Sequence, residues 1–323
     1  MVIKNSHLNL KKKITIVSPT YNEEANIANL LEKLIELRKE FIKKYDVDIL
    51  VIDNASNDNT ISILKFYAEK YKFIKLIINT RNFGHIRSPY YGIIQSYSDA
   101  TIYLASDFED PPDLIPQFIH AWEEGYKLVL GVKTSTNEKN YFIKHLRNLY
   151  YSLLKKISNS PQIEHSTGFG LYDKVILNHV REISDPYPYL RGIISELGYE
   201  AKKVFFQKKQ RQKNKSKNNI FTLYDIALLG IINHSTIPLR ICSFLGFSIG
   251  LVSFIIGTYY FFYKIIYWTE FSIGFAPLII ITSFMSGLIL FFIGVLGEFV
   301  AIILRYQKKL PIVVEKERIN FEK

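Results

Sequence analysis

Apolar and polar positions change period several times along this chain, and each change marks a predicted element. Residues 14–19 (ITIVSP) are a short β-rich run ending in Pro, the pattern of a buried strand that enters a loop. The period then lengthens, and Ile27, Leu30, Leu31 and Leu34 fall on one stripe of a helix. Asn22 is the expected N-cap, with Glu23 and Glu24 at the positive end of the helix dipole. DILVID (48–53) is a second strand, followed by the turn NASNDNT and a helix from Thr60. FIKLIIN (73–79) is a third, leading into the loop RNFGHIRSP; ATIYLAS (100–106) is a fourth and delivers Asp107. A helix over 113–124 and the strand KLVLGVK (127–133) follow. Strands alternating with helices predict an α/β fold, a mostly parallel sheet with helices on both faces. Ligands bind such sheets beyond the carboxyl ends of the strands, and the loops just named all occupy that edge.

The pattern changes class in the last quarter. From Ile241 to Tyr263 and from Phe271 to Gly297 no residue is charged. About 20 apolar residues span a bilayer as a helix, so both stretches predict membrane spans joined as a hairpin. Lys and Arg crowd 202–217, and Arg305, Lys308 and Lys309 follow the second span, whereas the connecting turn offers only Lys264 and Glu270. The positive-inside rule then places both termini in the cytoplasm. The predicted organisation is a cytosolic catalytic domain over 1–219, a juxtamembrane interfacial helix over 220–236, two spans within 237–305 and a cytosolic tail over 306–323. The amphipathic run 141–157 is either a helix packed on the domain or one lying among headgroups. MVIKNSHLNLKKKI at the start lacks the apolar run of a signal peptide. The single cysteine, Cys242, falls in the first span and suits a reducing compartment.

Charge and composition narrow the partners. A net charge of +11 fits nucleic acid, an anionic membrane surface or a phosphorylated substrate. The concentration of apolar residues in the last quarter selects the membrane and disfavours nucleic acid. Candidate chemistry lies in the acidic loops. Asp53 ends the second strand, and Asp107, Glu109 and Asp110 cluster in SDFEDPPD, where Pro111 and Pro112 deny the backbone helical geometry. Carboxylates at strand ends are hard oxygen donors suited to Mg²⁺ or Mn²⁺ and to a ribose. Glu298, inside the second span, is expected to pair with Arg305 or Arg240 or to make a subunit contact, because an unpaired carboxylate is costly there.

TYNEEANI, VIDNASNDNT, RNFGHIRSPYYG, SDFEDPPDLIPQFI and EEGYKLVLGVK stand in the order seen in family-2 glycosyltransferases of GT-A fold, which the chain resembles. TGFGLYD, PYLRGIISELGY, R-x-x-x-K-S-K, PLR and GVLGEF are similar to the polyprenyl-phosphate branch, which includes the dolichol-phosphate mannose synthase and bactoprenol glucosyltransferase types. The resemblance covers nearly the whole chain. It implies a membrane-bound, inverting, Mg²⁺- or Mn²⁺-assisted transferase of the bacterial inner membrane. The donor would be a nucleotide-sugar and the acceptor polyprenyl (undecaprenyl) phosphate, or alternatively a hydroxyl of a lipid-linked saccharide or glycolipid; a homo-oligomer is compatible with it. By the same resemblance Pro19, Tyr21, Glu23 and Asp53 would bind the nucleotide, and Arg81, Asn82, Gly84 and His85 would form the loop beneath the donor. Asp107 would be the last Asp of a D-x-D motif and hold the metal with Glu109. Arg191, Arg211, Ser216 and Lys217 would meet phosphates, a role that suits the bidentate fork of Arg. Three positions depart from the pattern: Asn54 replaces a second Asp, Ala105 replaces the first Asp of D-x-D, and Gly168-Phe169-Gly170-Leu171 replaces Asp-Phe-Arg-Leu. A hydroxyl acceptor would need a base, for which His85, His165 and Asp173 are candidates; a lipid phosphate is already anionic.

Overall fold

The computed structural model describes residues 11–134, 166–183, 185, 188–207, 237–267, 275–307 and 310–321. Those up to 207, together with 310–321, form one compact unit, and the two long helices between them form another. The first unit is built on an eight-stranded sheet in the order β7-β5-β6-β4-β1-β2-β3-β8. In chain order its strands are β1 (Lys13–Thr20), β2 (Asp46–Asp53), β3 (Ile74–Asn79), β4 (Ala100–Tyr103), β5 (Leu128–Lys133), β6 (Ser166–Asp173), β7 (Ala201–Phe206) and β8 (Glu315–Ile319). β1 pairs in parallel with β2 and β4, β2 with β3, and β5 with β7. β6 runs antiparallel to β4 and β5, and β8 antiparallel to β3.

The central strands form because they are apolar on both sides and are covered on both. On one face α1 (Ile27–Phe41), α2 (Thr60–Lys70) and α4 (Ile115–Glu123) enclose Ile14, Ile16, Ile49, Val51, Leu76 and Ile102. The α1 stripe, Ile27, Leu30, Leu31 and Leu34, is fully buried, which stabilises the fold by about 1.5–3 kcal/mol per side chain. On the other face α3 (Gly84–Ile94), α5 (Lys174–Glu182) and α6 (Leu190–Glu196) cover Val17, Leu50, Ile52 and Ile77. Helices on both faces of a mostly parallel sheet match the predicted class.

Several predicted elements need correction. RNFGHIRSP is not a loop throughout, since α3 begins at Gly84 and carries Pro89 inside it. Packing outweighs the local breakers: Tyr90 and Ile93 are buried against the sheet, and the Tyr90 hydroxyl donates to Val180 O at 2.9 Å. Asn22 does not cap α1, which starts at Ile27 behind Asn26. Its φ is +53° and its Oδ1 accepts from Asn57 N at 2.8 Å, so the neighbouring loop claims the side chain. The fourth strand stops at Tyr103, three residues short of the predicted end. The tail contains β8, a strand of the catalytic sheet.

In the second unit, α7 (Ile237–Ile266) covers the first uncharged stretch, and α8 (Phe275–Gln307) covers the second from Phe275 onward. Among the described residues one segment, Phe284–Ala301 in α8, is long and apolar enough to cross a membrane. Large apolar side chains such as Phe247, Ile255 and Phe262 on α7 and Phe284, Leu290 and Phe291 on α8 are exposed. Runs 141–157 and 220–235, residues His165, Arg211, Ser216 and Lys217, and the side chains of Arg240, Glu298 and Arg305 lie outside the described residues.

Candidate active site

Parallel pairing brings the ends of β1, β2 and β3, the loop after β4, the end of β5 and the start of β6 to one rim of the sheet. The loop after β1 is stitched to the loop after β2. Ser56 Oγ accepts from Asn22 N at 2.8 Å and donates to Asp53 Oδ2 at 2.5 Å; Thr60 Oγ1 accepts from Glu23 N at 2.9 Å. Asn59 N donates to Glu24 Oε2 at 3.1 Å, and Asn54 N donates to Thr20 O at 2.9 Å. Asp53, with no exposed surface, also accepts from Ser56 N at 2.9 Å. Burial raises its pKa above the ordinary carboxylate value, against the lowering effect of the Ser56 bonds. The acidic and amide residues of TYNEE and DNASNDNT thus build one double loop, in which Pro19 pairs with Ile52 and Thr20 with Asp53 across β1 and β2.

Asn54 joins this double loop to the next. Its Nδ2 donates to Asn82 Oδ1 at 2.9 Å and to Gly84 O at 3.2 Å, and its Oδ1 accepts from Phe83 N at 2.9 Å and Asn79 Nδ2 at 3.1 Å. An aspartate could accept but not donate. The departure at this position is therefore the substitution that lets the loop carrying Arg81, Asn82, Gly84 and His85 close onto β2. Asn54→Asp would set a carboxylate against two acceptors at a site 6% exposed, which costs about 2 kcal/mol. The expected outcome is an unfolding midpoint lower by several degrees in a thermal scan, and an unchanged midpoint would refute this role for the amide.

The loop after β4 supplies the acidic cluster. Asp107 Oδ1 accepts from Glu109 N at 3.1 Å, and Phe108 between them has φ +58°. A bulky side chain in the left-handed region is a strained conformation of the kind that collects at functional sites. Asp110 is 3% exposed and its carboxyl is pushed up to about 6 by burial, with the neighbouring Asp107 and Glu109 charges adding to the effect and Lys133 opposing it. Lys133, at the end of β5, places its ammonium 3.6 Å from Glu109 and 3.8 Å from Asp110. Thr167 Oγ1 donates to Asp110 Oδ1 at 3.3 Å. Arg191, on α6, donates to Ser166 O at 2.9 Å and lies within electrostatic reach of His85, Tyr103 and Tyr172. Burial of His85, and then the Arg191 charge, lower the pKa of its imidazole from the ordinary value. Burial, and then the Asp110 charge, raise the Tyr103 phenol, whereas Arg191 lowers it. One rim thus gathers Asp53, the Asp107–Asp110 loop, Lys133, Arg191 and His85.

The Glycosyl transferase family 2 model matches residues 15–181, the stretch that carries both acidic loops and more than half of the chain. The chain belongs to glycosyl transferase family 2. It is 30% identical over 300 residues to the prophage bactoprenol glucosyl transferase homolog of Escherichia coli (strain K12), covering 93% of this chain and 97% of that one. Identity is 29% over 307 residues to the bactoprenol glucosyl transferase of Shigella phage SfX, covering 95% and 99%. To the uncharacterized glycosyltransferase YkcC of Bacillus subtilis (strain 168) it is 27% over 309 residues, covering 95% and 94%. The crystal structure of glucosyl-3-phosphoglycerate synthase from Mycobacterium tuberculosis, in complex with Mn²⁺, uridine diphosphate and glucosyl-3-phosphoglycerate, is 15% identical. Its TM-score is 0.48, with 68% of this chain and 78% of that chain covered.

Not every predicted site residue of this glycosyltransferase meets the rim. Asp173, a candidate base, ends the antiparallel β6 and therefore lies at the opposite edge, paired with Ala100. Its Oδ1 accepts from Val175 N at 3.0 Å as the N-cap of α5, and its Oδ2 accepts from Trp122 Nε1 at 2.7 Å. It is a structural cap. Among the described residues no three His, Cys, Asp or Glu side chains are gathered to hold a metal ion. The donor set still suits a hard divalent cation: Asp107 and Glu109 share one short turn, with the buried Asp110 carboxyl next in the chain. Sequence reasoning missed Lys133 and Asn54. A strand-end lysine shows no local pattern, while Asn54 could have been found by asking which hydrogen bonds an amide makes that a carboxylate cannot.

Proposed function

We propose that this glycosyltransferase moves a sugar from a nucleotide-sugar to polyprenyl phosphate, with a lipid-linked sugar phosphate as product. The observation that carries the reading is the meeting of Asp53 and the Asp107–Asp110 loop on one rim, in a chain that aligns nearly end to end with bactoprenol glucosyl transferases. Pro19, Tyr21, Glu23 and Asp53 hold the nucleoside, and Arg81, Asn82, Gly84 and His85 support the donor from beneath. Asp107 and Glu109 hold a divalent cation, Mg²⁺ or Mn²⁺, which when bound neutralises charge on the departing diphosphate. Arg191, Arg211, Ser216 and Lys217 receive phosphate oxygens. An oxygen of the lipid phosphate forms the new bond to the anomeric carbon as the bond to the diphosphate oxygen breaks. The nucleoside diphosphate leaves, and attack from the opposite side inverts the configuration. The acceptor is anionic at neutral pH and needs no base. Gly168 stands where the branch has an acid, and Asp173 lies at the far edge, in keeping with such an acceptor.

α7 and α8 anchor the enzyme as a two-span hairpin in the bacterial inner membrane, with the catalytic domain and both termini cytoplasmic. Purified protein incubated with a panel of radiolabelled nucleotide-sugars, Mn²⁺ and undecaprenyl phosphate is expected to yield a labelled lipid that releases its sugar in mild acid. Label found only in an acid-stable glycolipid would overturn the phosphate acceptor.

A further inference from the structure

The chain leaves the catalytic sheet at one edge and re-enters it at the other. β7 is parallel to β5 and ends at Phe206 on the catalytic rim, and the chain then continues toward α7. α8 ends at Gln307, and residues 310–314 lead into β8, whose first residue, Glu315, pairs with Asn79 at the end of β3. Seven strand-to-strand steps separate these edges, roughly 30 Å. The last strand before the long apolar helices therefore ends, and the first strand after them begins, on the rim that carries Asp53 and Asp107.

The returning segment is fastened along its length. Val314 O accepts from Thr80 N at 3.0 Å and from Thr80 Oγ1 at 3.1 Å. Pro311 O accepts from the Arg87 guanidinium at 2.6 Å, and Glu315 Oε1 accepts from the Tyr91 hydroxyl at 2.9 Å. Val313 is buried, and Asn320 Nδ2 donates to Ala68 O at 2.5 Å and Ile74 O at 2.8 Å. Thr80 and Arg87 bracket the loop that carries Arg81, Asn82, Gly84 and His85, and Asn54 grips the same loop from the other side.

We propose that residues 311–319 are a second tether, which returns the chain from the apolar helices to the catalytic rim and holds the donor-side loop Thr80–Arg87 in shape. A segment with both ends built into one sheet enters and leaves a bilayer on the same side. It follows that α7 and α8 cross together or not at all. The positioning half of the inference rests on the donor-side reading of that loop; the topological half does not.

Two measurements on the full chain in native membranes test it. The first places Ile78→Cys with Glu317→Cys in a Cys242→Ser background, which leaves no other thiol. Ile78 and Glu317 face each other across β3 and β8, within the Cα spacing a disulfide needs. Mild oxidation is expected to give an intrachain bond, seen as a mobility shift that reductant reverses. No bond, or a disulfide-linked dimer, would overturn the tether. The second is the Arg87→Ala/Tyr91→Phe variant, which removes two ties without touching a residue placed in the site. Its KM for UDP-glucose with Mn²⁺ is expected to rise about fivefold to tenfold, with the KM for undecaprenyl phosphate unchanged. An unchanged donor KM, or an equal rise in both, would overturn the positioning role. Where another nucleotide-sugar of the panel is the one turned over, its KM takes the place of that for UDP-glucose; a wild-type enzyme that turns over none of them overturns the proposed function and the positioning role with it, and the disulfide still decides the tether.

Discussion

Asp107→Ala is expected to lower kcat about 1,000-fold, and Glu109→Ala about tenfold. The asymmetry comes from what each carboxylate already does. Ala105 stands where the usual D-x-D pair has its first acid, so in the proposed site cation binding would fall to Asp107 and Glu109. Glu109 stands 3.6 Å from the Lys133 ammonium and Asp110 is buried, so the proposed metal role puts the larger share on Asp107. A divalent cation supplies several kcal/mol to the departing diphosphate, and 1,000-fold corresponds to about 4 kcal/mol. Asp107 Oδ1 also closes the turn by accepting from Glu109 N, so the alanine variant loses a structural bond as well. Asp107→Asn separates the two effects, because the amide oxygen can close the turn without the charge. Its unfolding midpoint is expected to match the wild type while its rate falls as in the alanine variant. Initial rates across Mg²⁺ and Mn²⁺ concentrations give the check, and full activity in both Asp107 variants would end the metal assignment.

How far the fold was readable from the chain depends on where each element's partners lie. β1, β2, β3 and β5 announced themselves because a strand covered on both faces is a continuous apolar run. The loops that follow β1, β2 and β4 could be placed on one rim before any coordinates, since parallel strands leave no other arrangement. α3 was hidden by Gly84 and Pro89, which punctuate locally; the packing of Tyr90 and Ile93 that overrides them is tertiary. β8 was hidden for a related reason. EKERI alternates charge along an edge, and its partner β3 lies far back in the chain. The acidic loops were visible as carboxylates at strand ends, but Lys133 was not, because β5 reaches that loop only after the sheet has assembled. Asn54 was read as a missing acid, although its neighbours need a donor.

The same lesson governs the third departure from the family pattern, where the expected effect is on folding. Gly170→Arg, which restores the residue many relatives carry, is expected to destabilise the catalytic domain by more than 4 kcal/mol. A Cβ added at Gly170 would lie 2.2 Å from Val129 O and 3.1 Å from Leu130 Cα, both backbone atoms of the adjacent β5. Neither can step aside without opening the β5–β6 ladder, whose register already shifts between Leu130 and Val132. That ladder sets Lys133 and Thr167 against Asp110, so opening it disturbs the acidic loop as well. Native domains hold only about 5–15 kcal/mol in reserve, and a loss of this size removes much of it. Gly168→Asp is milder. Tyr103 and the Tyr172 hydroxyl lie at ordinary contact distance, 3.8 Å, and the strain comes from φ +90° alone, about 1–3 kcal/mol. Thermal unfolding of the separate variants is expected to rank them wild type, Gly168→Asp, then Gly170→Arg, the last with little folded protein recovered. A Gly170→Arg variant as stable as the wild type would refute the close β5–β6 approach and, with it, the setting of Lys133 against the acidic loop.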